Sequence, residues 1–193
     1  MEASAALLLV VPLAALATAV VRDLRYSLAS LTIHSTLCVV APTLGEALPI
    51  PSLIFSVAAV TATFAVALKV LPSYEVEQPV AGSWVLVVFA AVPVVWSYVA
   101  NIPPAFLPIV VSASISVYML SVRRNLVKAS YGLVALQNSM HALLSQIVHP
   151  TLALETPLSA VVFLTALLSS VLALLVYKTV GSLDTSSLRR LEW

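Results

Sequence analysis

Residues 105–128 read AFLPIVVSASISVYMLSVRRNLVK. Residues 105–122 pass without a charged side chain, and then Arg123, Arg124 and Lys128 arrive together. As a helix, such a run covers about 27 Å at about 1.5 Å per residue, close to the thickness of a hydrocarbon core. A long apolar run ended by a basic turn is the pattern of a membrane helix meeting the cytoplasmic face. Working outward, apolar stretches of similar length recur at 3–21, 26–43, 50–71, 80–99, 128–148 and 156–178, which makes seven predicted spans. All nine Lys and Arg residues fall at alternate ends of these spans. Arg22 and Arg25 lie between spans one and two, and Lys69 ends span three. Arg123, Arg124 and Lys128 lie between spans five and six, and Lys178, Arg189 and Arg190 follow span seven. The remaining loops hold Glu46, Glu155 and His149 but no Lys or Arg. The positive-inside rule then predicts the N-terminus outside and the C-terminus in the cytoplasm.

Composition agrees. The chain is 61% hydrophobic and 9% charged, against about 25% charged in a soluble domain. Its mean hydropathy is +1.09. The expected class is all-α, a polytopic transmembrane helix bundle set in a lipid bilayer. The net charge of +1 says nothing about partners, because the asymmetry across the bilayer is what matters, and no nucleic-acid partner is expected. The single cysteine, Cys38, excludes an internal disulfide or a cysteine metal cage and reads as a small core residue. Ala15, Ala17 and Ala19 offer a signal-peptidase-like site, but no basic segment precedes the first span, which is read as a retained helix.

Prolines punctuate the connections: Pro42, Pro49 and Pro51; Pro72 and Pro79; Pro103, Pro104 and Pro108; Pro150 and Pro157. At a helix end the missing N–H costs little. Pro93, inside span four, is expected to kink it. Trp84, Trp96 and Tyr98 lie near the two ends of that span, as interfacial aromatics do. Arg22-Asp23-Leu24 resembles Arg124-Asn125-Leu126, 102 residues on, and both stand at a basic turn. A repeat of spans one to three as spans five to seven would be parallel in orientation.

Ionisable and strongly polar groups inside spans are the natural functional candidates, because burying them in lipid is costly. Here they are His34, Lys69, Gln137, Asn138 and His141. Gln137 and His141 are four residues apart and share a helix face, with Asn138 beside them. This polar stripe serves either a hydrated ion path or interhelical hydrogen bonding, worth about 0.6 kcal/mol per pair. His34 is mid-depth in span two, as a packing residue or a relay. Lys69 either snorkels to the interface or has a buried role. No Asp or Glu falls at mid-span, and a self-sufficient proton carrier usually needs a carboxylate there. No metal-ligand spacing, phosphate loop or nucleophile motif is present in the sequence, so neither a catalytic site nor a cofactor site is expected.

The run Val122-Arg123-Arg124-Asn125-Leu126-Val127-Lys128, continued by Tyr131-Gly132-Leu133 and Gln137-Asn138-Ser139-Met140-His141, resembles the three-helix K subunit of respiratory complex I. It is also similar to the C subunit of Mrp-type cation/proton antiporters. The tail Gly181-Ser182-Leu183-Asp184 to Leu188-Arg189-Arg190-Leu191 resembles the end of that family. With added spans before this unit, the chain looks most like component E of hydrogenase-4 and formate hydrogenlyase-type complexes, and Lys69 resembles a lysine of component E. The likeness is clear over residues 105–193, read as a K-subunit-like unit; residues 1–104, four spans, match mainly in span pattern. Two departures stand out. The K subunit carries a glutamate where this chain has Val134, and component E carries one where it has Gln137.

The resemblance implies a membrane subunit of a complex I-related energy-converting assembly that couples a redox reaction to proton or sodium translocation. Its implied partners are antiporter-like membrane subunits and a membrane-anchored redox module, and the chain itself is expected to hold no cofactor. The alternatives are a stand-alone small transporter and a purely structural scaffold.

Overall fold

In a computed structural model, residues 2–40, 50–75, 83–101, 103–147 and 152–185 are described. The connection holding Pro42, Glu46 and Pro49 lies outside them, as do Pro79, His149, Pro150 and the tail residues Leu188 to Leu191. Every regular element among the described residues is helical: α1 (Glu2–Val20), α2 (Leu24–Val40), α3 (Ile50–Ala67), α4 (Ser83–Val99), α5 (Leu107–Val122), α6 (Leu126–Ile147) and α7 (Leu152–Val180). A 3-10 turn, Pro104–Phe106, leads into α5.

The punctuation explains the boundaries. Pro108 sits in the first turn of α5, where its missing N–H breaks no helical bond. Asp23 and Asn125 start α2 and α6 as side-chain caps. Asp23 Oδ1 accepts from Arg25 N at 2.8 Å, and Asn125 Oδ1 accepts from Val127 N at 3.0 Å and Lys128 N at 3.2 Å. Gly181 takes φ +73° just past α7, the left-handed position at which helices commonly stop. One expectation is corrected here: Pro157 does not flank the sixth connection but lies inside α7, which begins at Leu152. As the sixth residue of α7, Pro157 lies past the unpartnered N–H groups of the first turn, so it removes one helical hydrogen bond near the start.

Two helices are long and apolar enough to cross a membrane, over Pro104–Val122 and Thr156–Val180. Shorter apolar stretches occupy Leu9–Val20, Val57–Ala67 and Trp84–Val99. α2 and α6 fall short because they carry the polar side chains, among them Arg25 and His34 in one and Lys128, Gln137, Asn138 and His141 in the other.

The repeated turn has a repeated geometry. Asp23 bridges Tyr74 and Asn125 bridges Asp184, each as an isolated antiparallel pair. Leu24 N donates to Ser73 O and Glu75 N to Arg22 O at 2.8 and 2.9 Å. In the second half Leu126 N donates to Leu183 O and Thr185 N to Arg124 O at 2.9 and 2.8 Å. The turn between the first two helices is thus pinned to the segment after the third, twice over. Within each half the middle helix packs against both neighbours. Between halves α1 lies on α5, α2 on α6 and α3 on α7. Corresponding helices stack in the same order and with the same direction, so two rows of three are related by a shift rather than by a rotation. α4 rests mainly on α5, where Phe89 meets Tyr118 edge-on at 5.8 Å and Ser114 Oγ donates to Phe89 O at 2.5 Å.

The main core runs between the rows and joins Ala15, Ala19, Leu24, Leu28, Leu31, Phe64, Ile115, Met119 and Tyr131. Tyr131 stacks edge-on to Phe64 at 4.8 Å, and its hydroxyl donates to Leu24 O at 3.2 Å. α5 and α6 approach closely at Gly132, where an added Cβ would sit 2.7 Å from Met119 Cβ and 3.0 Å from Ser116 O.

Candidate functional site

Buried polar side chains gather at two levels between the rows. The first level is at the basic turns. Lys128 is fully buried, and its ammonium donates to Thr18 O, to Val21 O at 2.5 Å and to Ser27 Oγ at 2.8 Å. Arg123 donates to Ala19 O and pairs with the buried Glu75 carboxylate at 3.3 Å. The last carbonyls of a helix have no partner of their own, and the helix dipole makes that end negative. Two cations from the second row therefore cap the C-terminal end of α1 in the first row, and Glu75, from the segment after α3, offsets their charge.

The second level lies deeper and centres on His34, which is fully buried. His34 Nε2 lies 2.6 Å from Ser112 Oγ on α5 and 3.4 Å from Ser139 Oγ on α6. The two serines are 3.2 Å apart, and Ser139 Oγ also donates to Ala135 O at 2.9 Å. One set of hydroxyl orientations gives a continuous chain, with Nε2–H donating to Ser112, Ser112 to Ser139, and Ser139 to the α6 backbone. One turn along α2, Cys38 Sγ approaches Nε2 at 3.5 Å. Asn138 Nδ2 donates to Ser35 Oγ at 2.7 Å, so α2 and α6 are joined a second time at this depth. His34 Nδ1 is buried with no hydrogen-bond partner among the described residues. With Nε2 carrying the proton, Nδ1 is left as a bare lone pair.

The five sequence candidates therefore separate into three places. His34 and Asn138 meet at the centre, though not through a direct bond. Gln137 and His141 share the α7-facing side of α6 and line a groove of about 400 Å³, with Leu136, Met140, Leu144, Leu158, Val161 and Val162. There Gln137 Nε2 donates to Thr165 Oγ1 at 2.9 Å, while Gln137 Oε1 is buried without a partner among the described residues. The stripe is thus divided, because neighbouring helix positions point about 100° apart while positions four apart differ by about 40°. Lys69 belongs to neither cluster. It is exposed beside the end of α3.

Sequence reasoning missed Ser112, Ser139 and Ser35 as partners of the candidates, and Lys128 and Glu75 as buried charges. The serines gave no signal, since a serine in a membrane-like helix usually returns its hydroxyl to its own backbone. Lys128 did give one, because it follows the Asn125 cap by three residues and so points back over the turn.

Chemically, the central cluster can hold and orient a proton or a water among an imidazole and hydroxyls. Among the described residues it contains no carboxylate and no group of three or more metal-ligating side chains. Comparison of the chain with protein-family models, with curated proteins and with solved structures gives no match.

Proposed function

We propose that this chain is a multi-pass membrane subunit of a complex I-related energy-converting assembly, packed beside antiporter-like subunits that carry the ions. The observation that carries the reading is the hydrogen-bonded chain His34–Ser112–Ser139, buried between two stacked three-helix rows with no carboxylate beside it among the described residues. Such a cluster can relay or orient protons that pass through neighbours, but it lacks the group with which a carrier normally binds them. The resemblance of residues 105–193 to the K subunit, with Gln137 where component E has a glutamate, points the same way. In this reading all seven helices span the bilayer, and the basic turns that meet at one end of the bundle face the cytoplasm. Trp84 and Tyr98, exposed at opposite ends of α4, then sit at the two interfaces.

Affinity purification of the tagged chain from membranes in mild detergent, followed by mass spectrometry, tests the assembly. Antiporter-like subunits and a redox module are expected to copurify. Recovery of the chain alone, with robust ion flux when it is placed in liposomes, overturns the reading in favour of a stand-alone transporter. Topology is tested separately. A reporter fused at the C-terminus is expected to be active only in the cytoplasm and one after Glu46 only outside, and opposite labelling of either defeats the seven-span arrangement.

A further inference from the structure

Arg25 on α2 and Lys69, two residues past the end of α3, stand at the basic end of the bundle, above a groove of about 240 Å³. Leu28 and Leu68, both buried, form the floor of the groove, and the exposed Ala65 forms a wall. Deeper in, Thr32 and Thr61 join hydroxyls at 2.9 Å and tie the two helices together. The groove lining runs from Arg25 to Leu28 on α2, about one helical turn inward from the cations, and the threonine pair lies beyond it. The rim continues in the exposed apolar residues Val66 and Val70. Neither the Arg25 nor the Lys69 side chain makes a hydrogen bond or ion pair among the described residues, in contrast to Arg123 and Lys128.

We propose that this groove binds an anionic glycerophospholipid, its phosphate on Arg25 and Lys69 and one acyl chain along Leu28 and Leu68. The inference rests on the membrane reading above. Two unpaired cations placed over an apolar slot, at the level where a cytoplasmic-leaflet headgroup would lie, match a charged head above a hydrocarbon tail. The second row supplies an internal contrast. Aligning the two pinned turns puts Val127 opposite Arg25 and Thr179 opposite Lys69, so the cation pair is not a by-product of the repeat.

The test uses the full chain, extracted with its native partners and placed in nanodiscs containing equal phosphatidylglycerol and phosphatidylcholine. Lipid retained after stripping is counted by native mass spectrometry. Wild type is expected to retain phosphatidylglycerol selectively. Arg25→Ala with Lys69→Ala is expected to cut that preference about thirtyfold, each basic residue being worth about fivefold at a membrane surface. Arg25→Lys with Lys69→Arg is expected to restore it. Equal retention of the two lipids by wild type, or an unchanged preference in the double alanine variant, overturns the proposal. So does equal protection of the chain by inorganic phosphate, or loss of a copurifying protein from the double variant with lipid counts unchanged. Alkaline extraction of native membranes reads the underlying premise independently: a chain released by it refutes the membrane reading itself, whereas a retained chain with no lipid preference refutes the groove alone.

Discussion

Gly132→Ala gives the sharpest test of how α5 and α6 of the second row are held. In an open helix the change stabilises by about 0.5–1 kcal/mol, because alanine loses less backbone freedom than glycine. Here the new Cβ would lie 2.7 Å from Met119 Cβ, 3.0 Å from Ser116 O and 3.2 Å from Leu120 N. Carbon atoms pack best at about 3.5–4.0 Å, so α5 and α6 must part by about 1 Å. None of the three atoms can swing aside, since two are backbone and the third is bonded to it. Overpacking of this kind costs about 1–3 kcal/mol, which outweighs the propensity gain and leaves a net loss of about 1–2 kcal/mol. The same parting would stretch the 3.2 Å Ser112–Ser139 contact beyond hydrogen-bond range, about two turns along α6. The assay is thermal unfolding of the detergent-solubilised protein, paired with coupled ion transport in the assembled complex. Met119→Ala in the Gly132→Ala background keeps the offending Cβ and is expected not to rescue, whereas Met119→Gly rescues in part. A Gly132→Ala protein as stable as wild type, or more so, would refute the close approach.

Lys128→Met removes an ammonium with three acceptors. Thr18 O keeps the Ser27 hydroxyl at 2.8 Å, and Val21 is only half-buried, so its carbonyl can rewet. The loss in thermal or denaturant unfolding is therefore expected near 2 kcal/mol, below the about 3–5 kcal/mol of a stranded buried charge. Asn125→Ala is expected to cost about 1–2 kcal/mol, and Asp23→Ala less, because the Asn125 cap is buried and serves two N–H groups while the Asp23 cap is exposed and serves one; equal losses in the same unfolding assay would contradict the ranking. Gln137→Leu is expected to cut coupled ion pumping while leaving assembly and the redox reaction intact, and Gln137→Glu to be tolerated with added pH dependence. Unchanged pumping when Gln137→Leu is combined with His141→Leu makes the α6–α7 contact structural.

Helix positions were legible because membrane-like runs advertise themselves: the spans read from the sequence overlap the seven helices, and the largest differences lie at the ends of α3 and α7. Leu68, Val70 and Leu71 extend the apolar pattern of span three, yet the chain leaves the helix at Ala67 to bring Ser73 and Glu75 to the α1–α2 turn. Half of the site was legible. His34 and Asn138 stood out as polar residues in apolar runs, but their partners did not. Ser112 is 78 positions from His34, and only the stacking of the rows brings the two together. The Arg-Asp-Leu and Arg-Asn-Leu turns hinted at the repeat, while the bridges to Tyr74 and Asp184 depend on backbone pairing that side-chain pattern cannot encode.

The shift that relates the two rows makes their interface heterologous, since one face of the unit meets a different face of its copy. Such contacts do not close on themselves and in principle admit a third unit, then a fourth. The cations that cap α1 show where this growth ends. The position matching Lys128 in the first row is Tyr26, 70% exposed, and the position matching Arg123 is Val21. At these two positions the first row offers no cation, although its α1 receives two from its neighbour. The first row is a terminus of the stack, and the two rows form a two-unit array that carries its own stop at that end.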